Sequence, residues 1–483
     1  MDVNINSPSS LIDHVKVSFF GGIDEIGGNK LLLADGDTRV FLDFGLSFAS
    51  QARYFEFAIQ EPANVDDLKK TSVIPELPGL YRGSSEERLV DGVLLSHAHA
   101  DHSAHIPLLR SDIPVFTGRY TSQLLQIRGH TFGKSWDTDF EHLSFENLQT
   151  GKDAQIGGLS VRPYRVDHSV PGAHAFLIST SVGDIVYTGD LRLSGSRKSF
   201  TEDFIHIMRR RDIKYMFCEG TNIAPPDKME SHKLPNEEAV EGKANTLMGK
   251  EEGLIIYDSS PLDIDRIRTV SKVAKKQGRK LVLASRIGYI LLETLKTKLI
   301  GDLPKKGEFS IYLGRTRVRG SGYDAYEEVG LEGRYFHERE LAEDDSLMDS
   351  LVFGPEGREE ILKHPKDYLI FTTNGITTLQ QFKPLHGGIA GTYIYGKAEP
   401  FNEEMEMSFD RLLNWVKLCG MKLGYAHTSG HASRADLERI IKEISPEVLI
   451  PIHTEHADEV EKLATKLHVK VKRARPQSSL EFR

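Results

Sequence analysis

Three histidines and an aspartate stand within six residues, His97-Ala98-His99-Ala100-Asp101-His102, at the end of the apolar run Val93-Leu94-Leu95. Imidazole nitrogens and carboxylate oxygens are common donors to divalent cations, and this spacing lets one loop serve two ions. His97 and His99 fall on one side of an extended segment, whereas Asp101 and His102 follow a bend and face a second point a few ångströms away. A histidine-rich surface loop without chemistry is the weaker reading, because four ligand-type side chains leave a buried strand together.

Strands have to deliver these groups. Residues 15–20 alternate with a two-residue period and run into Gly21-Gly22, and residues 30–33 and 38–42 read as two further strands joined by the turn Asp35-Gly36-Asp37. Asp43 ends the last of them. There its carboxylate either hydrogen-bonds the histidine loop and fixes ligand orientation or simply turns the chain before Phe44-Gly45. Beyond the loop, residues 105–109 suggest a short helix, 114–116 a strand and 119–127 a helix, with His105 packing or facing solvent. Residues 159–166 lead to Asp167-His168, and 175–178 with 184–187 form a hairpin-like pair ending in Thr188-Gly189-Asp190. His168 and Asp190 thus stand at strand exits too, although taken singly each is more often structural.

At 483 residues the chain exceeds one ordinary core and suits two domains. Its 39% hydrophobic and 27% charged residues are those of a globular protein. No apolar run reaches the roughly eighteen residues of a membrane span, and Met1-Asp2-Val3-Asn4 does not begin a basic-then-apolar leader, so a cytoplasmic protein without a membrane partner is expected. Cys218 and Cys419 have no second cysteine at ligand spacing and read as small buried hydrophobes. A net charge of −9 provides no whole-molecule attraction for a polyanion, which would have to be held locally by cations or clustered arginines.

Taken in order, Asp43, His97-x-His99-x-Asp101-His102, His168 and Thr188-Gly189-Asp190 resemble the motif series of the metallo-β-lactamase superfamily, over about the first 220 residues. Within that superfamily the chain resembles the β-CASP nucleases, and among them ribonuclease J. Cys218-Glu219-Gly220-Thr221-Asn222 is similar to the first β-CASP motif, Ser429-Gly430-His431-Ala432-Ser433 to the second and Pro451-Ile452-His453-Thr454 to the third. A histidine at the third motif goes with RNA-processing members, an apolar residue with DNA-processing ones. The chain departs from ribonuclease J in carrying Thr454 where glycine is usual. It also lacks a Ser-x-Gly-x-Pro segment, with residues 371–375 the nearest candidate, and has no long C-terminal domain within these residues.

The resemblance implies an α/β fold: an αβ/βα sandwich with an inserted β-CASP α/β domain, divided as residues 1–222, 223–390 and 391–483. A breaker-rich polar loop after Ile223 supports the first boundary, and a strand, helix and strand over residues 254–283 suggest a small parallel sheet in the insertion. Ser260 and Arg266 in that domain, and Ser433 near the second motif, are candidate substrate-binding residues, with a capping serine and a surface arginine as the plainer readings. Arg315, Arg317 and Arg319 form a stripe that suits either an RNA backbone or a solvated edge.

The chemistry that goes with the resemblance is phosphodiester hydrolysis. His97, His99 and His168 are assigned to one metal, Asp101, His102 and His453 to the other, and Asp190 to both, with two Zn2+ expected and Mn2+ compatible with the donors. The pair would lower the pKa of a bridging hydroxide's parent water toward neutrality. His431 is the candidate general acid for the departing 3′-oxygen and Glu219 its orienting carboxylate, with Asp101 and Asp43 completing the catalytic set. The expected enzyme is a metal-dependent ribonuclease of single-stranded RNA, cutting 5′-to-3′ with internal cleavage as a second mode, and a homodimer is an assembly it allows. A lactonase- or thioesterase-type hydrolase and a DNA nuclease are the alternatives.

Overall fold

In this computed structural model the described residues are 14–56, 60–132, 135–225, 232–314, 336–382, 387–400 and 403–483, so Arg315, Arg317 and Arg319 lie outside them. The chain forms two compact units, residues 1–129, 134–229 and 430–483 in the first and residues 130–133 and 230–429 in the second.

The first unit is built on two seven-stranded sheets. One runs Ser478–Phe482, Val15–Phe19, Leu31–Asp35, Thr38–Leu42, Gly92–Leu94, Val115–Gly118 and Phe145–Leu148. The other runs Lys470–Val471, Val448–Ile452, Ile213–Glu219, Gly183–Tyr187, His174–Thr180, Leu159–Arg165 and Ala154–Ile156. Val15, Val17 and Phe19 point inward with the period of two that a pleated strand imposes, and they meet Phe176, Ile178, Ile185, Phe217 and Ile450 of the facing sheet. Helices Lys198–Met208, Arg434–Ile444 and Ala457–Lys466 bury Phe204, Ile205, Leu437, Ile440, Ile441 and Leu463 in a core shared with the second sheet, completing the αβ/βα sandwich. Both ends of the chain are needed: Val15–Phe19 pairs antiparallel with Ser478–Phe482, and Ile213–Glu219 pairs parallel with Val448–Ile452.

The second unit carries one seven-stranded sheet, in the order Leu351–Phe353, Phe309–Leu313, Lys280–Ala284, Tyr368–Thr372, Leu254–Ser259, Gly391–Gly396 and Lys422–Tyr425, with every pairing parallel. This corrects the boundary expected at residue 390. Gly391–Gly396 and Lys422–Tyr425 extend the insertion's own sheet, and the chain re-enters the first unit only at Gly430. A short apolar strand reads alike whichever sheet receives it, so sequence could not reveal the partner.

Strand direction in the first unit positions the site. Gly183–Tyr187, Ile213–Glu219 and Val448–Ile452 are mutually parallel, and Leu159–Arg165 shares their direction because it is twice antiparallel through His174–Thr180. Their carboxyl ends therefore deliver His168, Asp190, Glu219 and His453 to one edge. In the other sheet the parallel strands Thr38–Leu42 and Gly92–Leu94 deliver Asp43 and the histidine loop.

Candidate metal centre

Seven side chains converge in two sets that share one carboxylate. His97, His99, His168 and Asp190 form the first and Asp101, His102, His453 and Asp190 the second, with the donor atoms of each set all within 4.8 Å of one another. Around Asp190 Oδ2, the Nε2 atoms of His102, His97, His453 and His168 stand at 3.1, 3.6, 3.7 and 3.8 Å. His99 Nδ1 lies 3.2 Å from His97 Nε2 and 3.0 Å from His168 Nε2, and Asp101 Oδ2 lies 3.2 Å from His453 Nε2. Ligands at the usual zinc bond length in tetrahedral array are separated by about 3.4 Å, so both sets have the spacing of a cation shell.

The donor set fits divalent cations on a second ground. Asp190 Oδ1 is buried without a hydrogen-bond partner, and Asp190 Oδ2 and His102 Nε2, equally buried, have only their own 3.1 Å approach. Orphaned buried polar atoms are costly, and a cation is a partner that satisfies all three at once. The far nitrogens, in contrast, are occupied. His102 Nδ1 lies 2.6 Å from Asp43 Oδ2, His97 Nδ1 3.0 Å from Ser96 Oγ, His453 Nδ1 2.8 Å from Thr221 Oγ1, and His168 Nδ1 donates to the Gly430 carbonyl. Engaging one ring nitrogen leaves the other's lone pair facing the cluster.

Asp43 sits under this loop as one of its two expected readings required. Its backbone is left-handed, with φ of 57°, and its N–H donates to Leu94 O at 2.9 Å. Oδ1 accepts from Ser96 N at 2.7 Å, and Oδ2 accepts from Ser96 Oγ at 2.8 Å and Tyr187 OH at 2.6 Å besides His102. His453 is also left-handed, at φ of 51°, and is held by its N–H on Gly22 O at 2.8 Å.

Electrostatics sort the imidazoles. Burial holds His97 and His168 well below the usual histidine range and His99 down to about 4, so their nitrogens are unprotonated, as cation binding requires. For His102 burial acts downward as well, but Asp190, Asp43 and Asp101 outweigh it and raise its pKa well above that range. Desolvation opposes ionisation of Asp190, yet His102, His453 and His431 hold its pKa well below the usual carboxylate range.

His431 belongs to neither set. Its Nδ1 lies 3.4 Å from Glu219 Oε1, 3.1 Å from Thr221 Oγ1 and 3.7 Å from Asp190 Oδ2. Its side chain is 19% exposed and that of Asp101 17%, and His99 is part-exposed too, whereas those of His97, His102, His168 and His453 are fully buried, so the centre is open on the side of His431, Asp101 and His99. Burial pushes the His431 pKa down, but Glu219 and Asp190 overcome it and raise it. Glu219 is fixed by Thr221 N at 3.0 Å and Ala432 N at 3.3 Å.

Two of the expected substrate-binding residues do other work. Arg266 is wholly buried, its guanidinium on Glu237 at 2.9 and 3.2 Å and on the Gly396 and Ala426 carbonyls at 3.3 Å, so no donor face is left for a phosphate. Ser433 caps helix Arg434–Ile444, accepting from Asp436 N at 3.1 Å and donating to Asp436 Oδ2 at 2.8 Å. Ser260 is half-buried in the second unit, ahead of helix Ile264–Lys276. Sequence reading assigned no role to Ser96, Thr221 or Asn222, the last of which pins the His431 and Ala432 carbonyls at 2.9 and 3.0 Å. A hydroxyl and an amide two and three residues after a strand-end carboxylate were the available signal for Thr221 and Asn222.

Residues 76–247 match the beta-lactamase superfamily domain, and residues 421–474 match the Zn-dependent metallo-hydrolase RNA specificity domain. Fold and site together are those of the metallo-β-lactamase superfamily, with a cluster suited to divalent cations. Within it the chain is similar to ribonuclease J of Mycoplasma pneumoniae, 23% identical with 91% of this chain and 68% of the relative covered. It is similar also to ribonuclease J of Pyrococcus abyssi, at 22% with 92% and 90% covered. A crystal structure of a protein of unknown function from Enterococcus faecalis V583 shares the fold, at TM-score 0.72 and 24% identity, over 97% of this chain and 100% of that one.

Proposed function

We propose that the protein is a metal-dependent ribonuclease that hydrolyses phosphodiesters of single-stranded RNA, 5′-to-3′ with internal cleavage as a second mode. The observation that carries this is the pair of donor sets sharing Asp190 with His431 beside them on the open side. The alignment with proteins named ribonuclease J over nine-tenths of the chain supports RNA as substrate.

We assign His97, His99 and His168 to one ion, Asp101, His102 and His453 to the other and Asp190 to both, with zinc expected and manganese compatible. Two such cations, when bound, lower the pKa of attacking water and offset the charge that gathers on the phosphoryl oxygens. Asp43 and Ser96 hold the His102 and His97 rings so that Nε2 faces inward. His431, paired with Glu219, gives its proton to the departing 3′-oxygen, and Thr221 and Asn222 fix the ring and its loop.

Labelled RNA, single-stranded DNA and a generic ester, each with and without chelator, test the reading. RNA cleavage that stops with chelator supports it; ester turnover with intact RNA overturns it in favour of a small-substrate hydrolase, and preference for DNA favours a DNA nuclease. With 5′-labelled RNA, release of the label as a mononucleotide marks exonuclease action, and faster cutting of a 5′-monophosphate than a 5′-triphosphate marks 5′-end recognition. The proposal includes a cytoplasmic setting and a homodimer, the latter checked by light scattering. Among the described residues no helix is long and apolar enough to cross a membrane.

A further inference from the structure

Residues 20–30, between strands Val15–Phe19 and Leu31–Asp35, touch the second ligand set on two of its three chain segments. Gly22 O accepts from His453 N at 2.8 Å, and Asn29 N donates to Asp101 O at 3.1 Å. A second loop, following Asp43, grips the same short helix Ala100–Ser103: Phe44 N donates to His102 O at 2.8 Å and Leu46 N to Ala100 O at 3.0 Å. The approach is close enough to exclude side chains. A Cβ on Gly45 would lie 1.7 Å from Asp101 O, and one on Gly27, whose φ is +85°, would lie 2.7 Å from Asp101 Cβ.

Between the two loops lies a fully buried lysine. Lys30 Nζ donates to Gly45 O at 2.7 Å and to Gly28 O at 3.2 Å, one carbonyl from each loop. A buried ammonium is costly unless its hydrogen bonds do something an apolar side chain cannot. Here they fasten one loop to the other, reinforcing Gly45 N on Asn29 O at 3.0 Å. Burial lowers the lysine's pKa to about 8, with Glu25 partly opposing, so the ammonium is largely retained at neutral pH. In the first ligand set His97 and His168 hang on other supports, Ser96 and Gly430 O, and only His99, the N-cap residue of helix Ala100–Ser103, and the shared Asp190 connect it to the second.

We propose that Lys30 is a positioning residue for one ion of the two: by locking the Gly28 and Gly45 carbonyls together it keeps Asp101 at its spacing from His453, His102 and Asp190. The inference rests on the two-ion reading above and goes beyond it in making the two sites separately breakable.

The test compares wild type with Lys30→Met, which keeps length and removes the donors. Both are stripped, reloaded with zinc or manganese, dialysed and taken to elemental analysis and ion titration. Wild type is expected to hold about two ions and Lys30→Met about one, with affinity for the second reduced about 10- to 100-fold. Manganese loading then reads as an exchange-coupled pair in wild type and as an isolated ion in the variant. Two ions bound as tightly as in wild type, or both lost in step, overturn the proposal; wild type without ions overturns the metal reading itself. If Lys30→Met does not fold, Glu25→Ala decides. Glu25 accepts from Gly22 N at 2.9 Å and from Ser47 Oγ, bracing the loop from its half-exposed side. Its loss is expected to weaken the same single ion, and unchanged binding of both overturns the proposal.

Discussion

Asp43→Asn separates the hydrogen-bond chemistry beneath the metal loop from its backbone geometry. Asparagine tolerates the left-handed φ of 57° that most residues would resist, so the substitution changes charge and donor pattern alone. Four donors converge on the carboxylate: Ser96 N on Oδ1, and Ser96 Oγ, His102 Nδ1 and Tyr187 OH on Oδ2. An amide has one acceptor oxygen. Its cheaper orientation turns that oxygen to the three donors and sets its NH2 against Ser96 N–H, leaving a buried donor unpaired at about 1–3 kcal/mol. The remaining three bonds lose charge assistance at roughly 1 kcal/mol each. The total, about 4 kcal/mol or more, matches the roughly 3–5 kcal/mol for breaking a buried charged pair. Urea unfolding of the ion-free protein reads this loss directly, and ion titration should show a fall of about 10- to 100-fold because the His102 tautomer is no longer fixed. A stability change under about 1 kcal/mol together with unchanged ion affinity would refute the role of Asp43.

Other substitutions and measurements test separate parts of the site. His431→Ala should lower kcat about 10²- to 10⁴-fold with ion content intact, and an emptied centre would show that His431 is a ligand instead. Glu219 raises the His431 pKa, so the alkaline limb of kcat/KM should move to lower pH in Glu219→Gln, and an unmoved limb would contradict the pairing. In the ion-free protein His102 keeps a proton through neutral pH, since Asp190, Asp43 and Asp101 outweigh its burial. Ion binding must displace that proton, and calorimetry in buffers of different ionisation enthalpy should find a net proton release, with none refuting the assignment. Gly45→Ala puts a methyl 1.7 Å from Asp101 O and should abolish folding or strip the second ion set; a soluble variant with normal ion binding would contradict the close packing.

The histidine loop was legible because its information is local: the ligand types, their spacing and the strand before them fall within one decade of residues. His168 and Asp190 were visible only as strand exits, and bringing them to His97 took the shared direction of strands that sequence alone does not orient. Lys30 read as the start of a strand, since the carbonyls that hold it at Gly28 and Gly45 come from loops whose path depends on the folded sandwich. Arg266 failed in the opposite sense. A helical arginine near a polar loop resembles a phosphate ligand until Glu237, Gly396 and Ala426 are seen to enclose it. Ser433 shows a true ambiguity of local chemistry, because the hydroxyl that caps a helix and the hydroxyl that greets an anion sit at the same place in the sequence.

The contrast between the Arg266 network and the Asp190 cluster indicates how a buried polar group declares its purpose. Around Arg266 both nitrogens that face Glu237 are bonded and the remaining one reaches carbonyls, so the charge is balanced by the chain itself and the group serves the scaffold. Around Asp190 one carboxylate oxygen has no hydrogen-bond partner and the other has only the inward-facing His102 nitrogen at 3.1 Å, while the same imidazole's far nitrogen is held by a carboxylate that itself takes three more donors. An evolved core does not leave such atoms bare beside fully satisfied neighbours without return. The imbalance has the sign and the geometry of missing positive charge, and it lies at the edge where strands from both ends of the chain finish. A divalent pair removes it at the point where a phosphodiester would accumulate the opposite charge.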